Sequence, residues 1–170
     1  MTAGEEEILK KQQLRNNEYY NTQEIQDQLY RKSKKGYIFK DLISIMTDQN
    51  NIALAYRNIK NNKGSNTPGV NQTIIKDIDQ YEISEWIDYI RHWFENFKPM
   101  PVRRVEIEKP GGGIRPLGIP TIEDRMVQQC IKQILELIAE AKFYHGNYGF
   151  RPDKSAENAI AKVMQLININ

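Results

Sequence analysis

With 170 residues, 24 Lys+Arg against 22 Asp+Glu and a net charge of +2, the chain has room for one domain and a short appended arm, and its charge balance alone points to no polyanionic partner. A single cysteine, Cys130, excludes an internal disulfide and a cysteine-rich metal site, and two histidines, His92 and His145, are too few and too scattered for a zinc cluster. Hydrophobic residues make up 39% of the chain, enough for a core, while a mean hydropathy of −0.67 leaves much of it solvated.

The N-terminus, MTAGEEEILKKQ, is acidic and then amphipathic, with no apolar signal region, and no later run approaches membrane-spanning length. A cytoplasmic protein with no membrane partner is the expectation. Residues 1–20 are charged and rich in Asn and Gln, so partial or frayed helix is expected there. From Thr22 to Lys35 the pattern is helical but polar, with Ile25 and Leu29 as a narrow apolar contact and Gly36 as a stop signal. That segment ends in RKSKK. Its cations suit either a solvated helix end or a nucleic-acid-facing surface.

Leu42, Ile45 and Met46 mark a short helix. A second starts near Asn50, with Ile52, Ala55, Tyr56 and Ile59 at helical spacing. It runs into the turn-rich loop NIKNNKGSNTPGVN. A longer helix is expected over residues 81–97, with Ile83, Trp86, Ile87, Ile90, Phe94 and Phe97 on its inner side.

The segment KPMPVRRVEIEKPGGGIRPLGIP holds too many prolines and glycines for a helix. Val102, Val105 and Ile107 before PGGG, and Ile114, Leu117 and Ile119 after it, predict a β-hairpin. TIEDRMVQQCIKQILELI follows as a helix opened by a capping box of Thr121 and Asp124. Its stripe is Ile122, Met126, Val127, Cys130, Ile131, Ile134, Leu135 and Ile138, which makes Cys130 a buried thiol rather than a nucleophile. A last helix is expected from about Asp153, with Ala156, Ile160, Val163 and Ile167 inward. The fold class is α+β, mostly helical with one small antiparallel hairpin.

Arg103, Arg104, Lys109 and Arg115 fall within thirteen residues of that hairpin. Strand alternation puts Arg103 on the face of Val105 and Ile107, opposite to Arg104. Glycines that allow close backbone approach, with cations at their base, suit a polyanion. No Walker loop is present, because Lys109 precedes the glycines and no GK[ST] follows. Glu106 and Glu108 leave a second reading open, a surface hairpin laced by cross-strand ion pairs.

PVRRVEIEKPGGGIRPLGIPTIEDRMVQQ resembles the fingers hairpin and following helix of group II intron reverse transcriptases. NIKNNKGSNTPGVN resembles the NKGxxGxD loop of that family and YGFRPDKSAENAI its GFRPxxSAxxA segment, in the family's order. Two departures stand out: Glu108 replaces the usual Pro, and Asn71 replaces the usual Asp. The resemblance implies an N-terminal helical arm over 1–36, the fingers of a right-hand polymerase over 37–145 (hairpin 101–120, helix 122–141), and the start of the palm over 146–170. It implies that Arg103, Lys109 and Arg115 grip the triphosphate of an incoming dNTP, and that Gly118, Ile119 and Pro120 pack on the templating nucleotide. Arg31, Lys32, Lys34 and Lys35, with Arg57, Lys60 and Lys63, would hold template RNA and the intron's own RNA.

No catalytic or metal-binding residue is expected in this chain. Asp124 and Asp153 read as helix caps, no YxDD turn occurs, and Mg²⁺ is expected in the full-length enzyme, so the fragment alone should be inactive. The partners implied are group II intron RNA, an RNA template with its DNA primer, and dNTP. A homodimer through the apolar stripes of the last two helices is a further expectation. Two alternatives remain: an RNA-binding splicing maturase module with polymerisation secondary or lost, and the fingers of another bacterial reverse transcriptase from a retron or CRISPR-linked system.

Overall fold

The computed structural model describes residues 12–168, so the expectation for residues 1–11 lies outside the described residues. Among the described residues eight helices and two strands follow in order: α1 (Gln12–Tyr19), α2 (Gln23–Lys34), α3 (Ile43–Met46), α4 (Gln49–Lys60), α5 (Ile75–Ile78), α6 (Ile83–Glu95), β1 (Arg103–Glu108), β2 (Ile114–Ile119), α7 (Ile122–Glu140) and α8 (Ala156–Ile167). The architecture is mixed helical with one two-stranded antiparallel hairpin.

Helix α7 is the axis against which α2, α3, α4 and α6 pack. Around its N-terminal half Ile122, Met126 and Cys130 meet Ile52, Ala55 and Ile59 of α4, Ile75 and Ile78 of α5, and Trp86 and Ile90 of α6. Around its C-terminal half Ile134 meets Leu29 of α2 and Met46 of α3. Phe94 touches both groups, so the core is continuous along α7. Full burial of each Ile, Leu or Met here is worth about 1.5–3 kcal/mol against exposure.

Local signals explain the helix ends. Gly36 takes φ +79° and closes α2 with the paired bonds of a Schellman motif, Gly36 N–H to Ser33 O at 2.9 Å and Tyr37 N–H to Lys32 O at 3.1 Å. The Asp48 carboxylate accepts from Asn50 N–H at 2.8 Å to start α4. Ser155 and Asn158 cap α8 reciprocally.

Several expectations are corrected. Ile25 is exposed, and the buried face of α2 is instead Gln26, Leu29 and Ser33. Its polar members are satisfied: Gln26 accepts from Asn17 at 2.7 Å, and the Ser33 hydroxyl donates to Ile138 O at 2.7 Å, a last-turn carbonyl of α7 with no partner in its own helix. On α7, Leu135 is exposed and Gln133 is buried in its place. Gln133 joins an amide layer, donating to Asn51 Oδ1 at 2.7 Å and accepting from Asn58 at 2.9 Å. Ile83 and Phe97 are exposed because α6 spans only residues 83–95 and its ends overhang the core.

The capping box of α7 is half formed. Thr121 accepts from Asp124 N–H, but the Asp124 carboxylate turns to Met100 N–H at 2.9 Å and ties down the segment entering the hairpin. Asp153 is not the cap of α8; it sits at φ +54° in the turn before Ser155. The expected inward face of α8 buries nothing, and Ile160, Val163 and Ile167 are all more than half exposed. No other element among the described residues covers that stripe.

Candidate nucleic-acid interface

The hairpin pairs Arg103 with Ile119, Val105 with Leu117, and Ile107 with Arg115, without a bulge. Directly opposed residues share a face, so Arg103, Val105 and Ile107 lie on one face with Arg115, Leu117 and Ile119. Arg103 and Arg115 therefore stand on the same face, four strand residues or about 14 Å apart. Lys109 closes the turn, its N–H bonding to Gly113 O and its carbonyl accepting from Gly112 N–H, both at 3.0 Å. Gly112 and Gly113 adopt φ +86° and +85°, a region that side chains rarely enter.

The anticipated cross-strand ion pairs are absent among the described residues. The single hairpin pair, Arg104 with Glu106 at 3.4 Å, runs along β1, and it lies on the other face. The residues opposite Glu106 and Glu108 are Pro116 and Ile114, which carry no charge. The side chains of Lys109 and Arg115 are exposed and make no hydrogen bond or ion pair among the described residues. Arg103 differs: it is half-buried and its Nε donates to Pro68 O at 2.9 Å, which leaves the terminal nitrogens of its fork for a ligand.

The loop over residues 61–73 is held against the hairpin exit by contacts that sequence reasoning missed. Arg125, on the first turn of α7, donates to Pro120 O at 3.0 Å, Gly64 O at 3.0 Å and Thr67 O at 2.7 Å. Burial, and then the nearby charge of Arg103, push its guanidinium below the usual value. Gly69 backs onto the Pro120–Thr121 peptide so closely that a Cβ would lie 2.7 Å from Thr121 Cα. Asn71 donates to both carboxylate oxygens of Glu123 at 3.1 and 3.2 Å. An aspartate at position 71 would face Glu123 with like charge, so the departure from the family pattern fits its neighbour. The only sequence hint of these roles is a polar residue interrupting an apolar stripe or a glycine inside a turn.

The remaining candidates spread along α7. Gly118 lies opposite Arg104 against the Val102 side chain, and Ile119 and Pro120 are half-buried where the hairpin enters α7. Arg31, Lys32, Lys34 and Lys35 are exposed at the end of α2, beside the C-terminal end of α7. From Ile122 to Ile138 is about 24 Å of helix, so this cluster and the hairpin cannot share one phosphate. Arg57 is exposed beside Arg15, Tyr19 and Tyr20, lining a shallow cavity of about 360 Å³. Lys63 is exposed. Lys60 pairs with Asp79 at 2.7 Å, and this hydrogen bond raises the lysine's pKa and lowers that of the aspartate.

Cys130 is fully buried and burial pushes its thiol up to about 12, which suits packing. In the GFRP segment Arg151 bonds Glu140 at 3.0 and 3.1 Å and the carbonyls of Tyr144 and Asn147, so it organises the turn after α7. Among the described residues no group of His, Cys, Asp or Glu could hold a metal ion, and no helix is long and apolar enough to cross a membrane.

No family model matches the chain. Curated relatives do. The chain is 37% identical over 125 residues to Protein YkfC of Escherichia coli K12, covering 72% of this chain and 32% of that protein. It is 34% identical over 111 residues to the group II intron-encoded protein LtrA of Lactococcus lactis, covering 65% of this chain and 18% of LtrA. It is 33% identical over 99 residues to maturase-like protein 1 of Euglena gracilis, covering 58% of this chain and 20% of that protein. It thus spans about a third or less of the length of these relatives. With the hairpin, the loop and the α7 start joined in one unit and relatives of this kind, the chain belongs to the group II intron-encoded, maturase-like proteins related to reverse transcriptases.

Proposed function

We infer that residues 37–145 act as the fingers of an RNA-directed DNA polymerase, and that the face of Arg103 and Arg115 with Lys109 at its tip grips the triphosphate of an incoming dNTP. The observation that carries this reading is the bulge-free register, which sets two guanidiniums on one face while Lys109 and Arg115 have no partner among the described residues. Two forks can each take phosphate oxygens bidentately, and the ammonium adds a mobile point charge. Gly118, Ile119 and Pro120 pack on the templating nucleotide. Residues 146–170 start the palm.

Template and intron RNA lie along the exposed cations, from the hairpin past Arg57, Lys60 and Lys63 to Arg31, Lys32, Lys34 and Lys35. The 24 Å spread suits an extended or structured RNA more than a small anion. Metal-assisted nucleotidyl transfer is assigned to the full-length enzyme. In this reading the isolated chain should extend no primer. An RNA-binding maturase role with polymerisation secondary is favoured over this reading only if the hairpin cations serve RNA alone.

Steady-state kinetics of Arg115→Ala in the full-length enzyme separate the two. A charge-assisted hydrogen bond is worth about 1.5–3 kcal/mol, so kcat/KM for all four dNTPs should fall by a similar factor, on the order of ten- to a hundredfold. Phosphate contacts carry no base information. Intron RNA affinity should change little. Unchanged dNTP kinetics with weakened RNA affinity would make the hairpin an RNA clamp. Homodimerisation through α8 is read out separately by sedimentation.

A further inference from the structure

A cavity away from the hairpin cations lies between α5, α6 and the first turn of α7, with Lys60 beside it but paired to Asp79. Its volume is about 660 Å³, within the range of ligand-binding clefts. Its walls are aromatic, from Tyr81, Trp86 and Tyr89, and acidic, from Asp77, Glu85 and Glu123. Trp86 and Tyr89 stack with centroids 5.2 Å apart and planes 25° from parallel. Trp86 is 7% exposed and its indole N–H finds no acceptor among the described residues.

The three carboxylates are not neutralised. None forms an ion pair among the described residues, whereas Asp79 next door has Lys60. Glu123 is held by the neutral amide of Asn71, Asp77 accepts from the Ile74 N–H at 2.9 Å, and Glu85 has no partner among the described residues. Burial, and then the charge of Glu123, raise the pKa of Tyr89, which keeps its phenol neutral and places it within reach of that carboxylate's field.

An apolar aromatic wall under unpaired negative charge rejects phosphate and complements a cation with an apolar stem. We propose that this cavity is a docking site for an arginine side chain carried by a basic polypeptide segment. The planar guanidinium lies against the exposed rings of Tyr81 and Tyr89, with Trp86 buried behind them, its propyl stem lies on the aromatic wall, and its fork meets Glu85 and Glu123. Lysine fits less well, because a compact, strongly hydrated ammonium gains less from stacking. This site is independent of the RNA and dNTP reading. It gives the domain a protein-facing side opposite in charge to its nucleic-acid-facing cations.

The test is an NMR titration of the ¹⁵N-labelled 170-residue chain with the capped peptide Ac-Gly-Arg-Arg-Gly-NH₂, beside its lysine counterpart, spermidine and a uridine oligonucleotide. Saturable shifts confined to residues 73–89 and 123, at about millimolar peptide or below, are expected, with the arginine peptide tighter than the lysine peptide. Glu85→Gln combined with Glu123→Gln keeps the hydrogen-bonding shape and should weaken binding about five- to tenfold, and Tyr89→Leu by a similar factor. Binding that is unchanged in both variants overturns the proposal, as does absence of shifts at 10-fold this concentration, on the order of ten millimolar. Shifts at these amides from spermidine but not the peptide would make the occupant a free polyamine. Shifts from the oligonucleotide alone would make it RNA. Either result refutes the arginine assignment.

Discussion

Replacing Arg125 by Ala should loosen the junction on which the candidate interface is built. The guanidinium spans three carbonyls from two segments, Gly64 and Thr67 in the loop and Pro120 at the hairpin exit, at 2.7–3.0 Å. A hydrogen bond to a charged group contributes about 1.5–3 kcal/mol, but three bonds from one fork are not additive and the Gly64 carbonyl can rehydrate. Relief of the repulsion with Arg103 offsets a little more. The expected loss is about 3 kcal/mol for Ala and about 2 kcal/mol for Lys, whose single ammonium cannot reach all three carbonyls. Urea unfolding by linear extrapolation measures the loss, and amide exchange of residues 61–69 shows where it falls. A loss under about 1 kcal/mol with unchanged loop protection would refute the reasoning, since it would mean that the loop holds its place without this clamp.

Gly69→Ala should cost about 3 kcal/mol in the same assay, because its Cβ would meet only backbone atoms at 2.7–2.9 Å and none of them can swing aside. Asn71→Asp sets a second carboxylate against Glu123 and raises the pKa of the pair in the folded state. A raised folded pKa means stability present at low pH and lost as pH rises, so the variant's Tm should match the parent at about pH 3 and fall below it by several degrees at pH 7. Cys130, fully buried with its thiol pushed up to about 12, should resist a thiol reagent in the native state and react in urea. The Lys60–Asp79 pair should contribute from above the ordinary carboxylate range to below the ordinary lysine range, because its aspartate is depressed and its lysine raised; with both side chains about a third exposed or more, its removal by Lys60→Met should cost no more than about 1 kcal/mol.

What the sequence determined by itself is what local chemistry controls. The stripes of α4 and α7, the Gly36 stop of α2 and the PGGG turn between alternating runs follow from periodicity and φ preferences that need no distant partner. That Arg115 shares the face of Arg103 needed the strand register, which only the paired hairpin supplies. Tertiary structure alone decided the rest. Gln133 and Gln26 are inside, and Leu135 and Ile25 outside, because amide partners on other helices satisfy the former, and no periodicity encodes that match. Asp124 serves Met100 rather than its own helix end. Arg125, Gly69 and Asn71 gain their roles from segments up to 61 residues away. The stripe of α8 looks inward in sequence yet meets no partner among the described residues. A hydrophobic period states that a face seeks cover; only the packed chain shows which surface provides it.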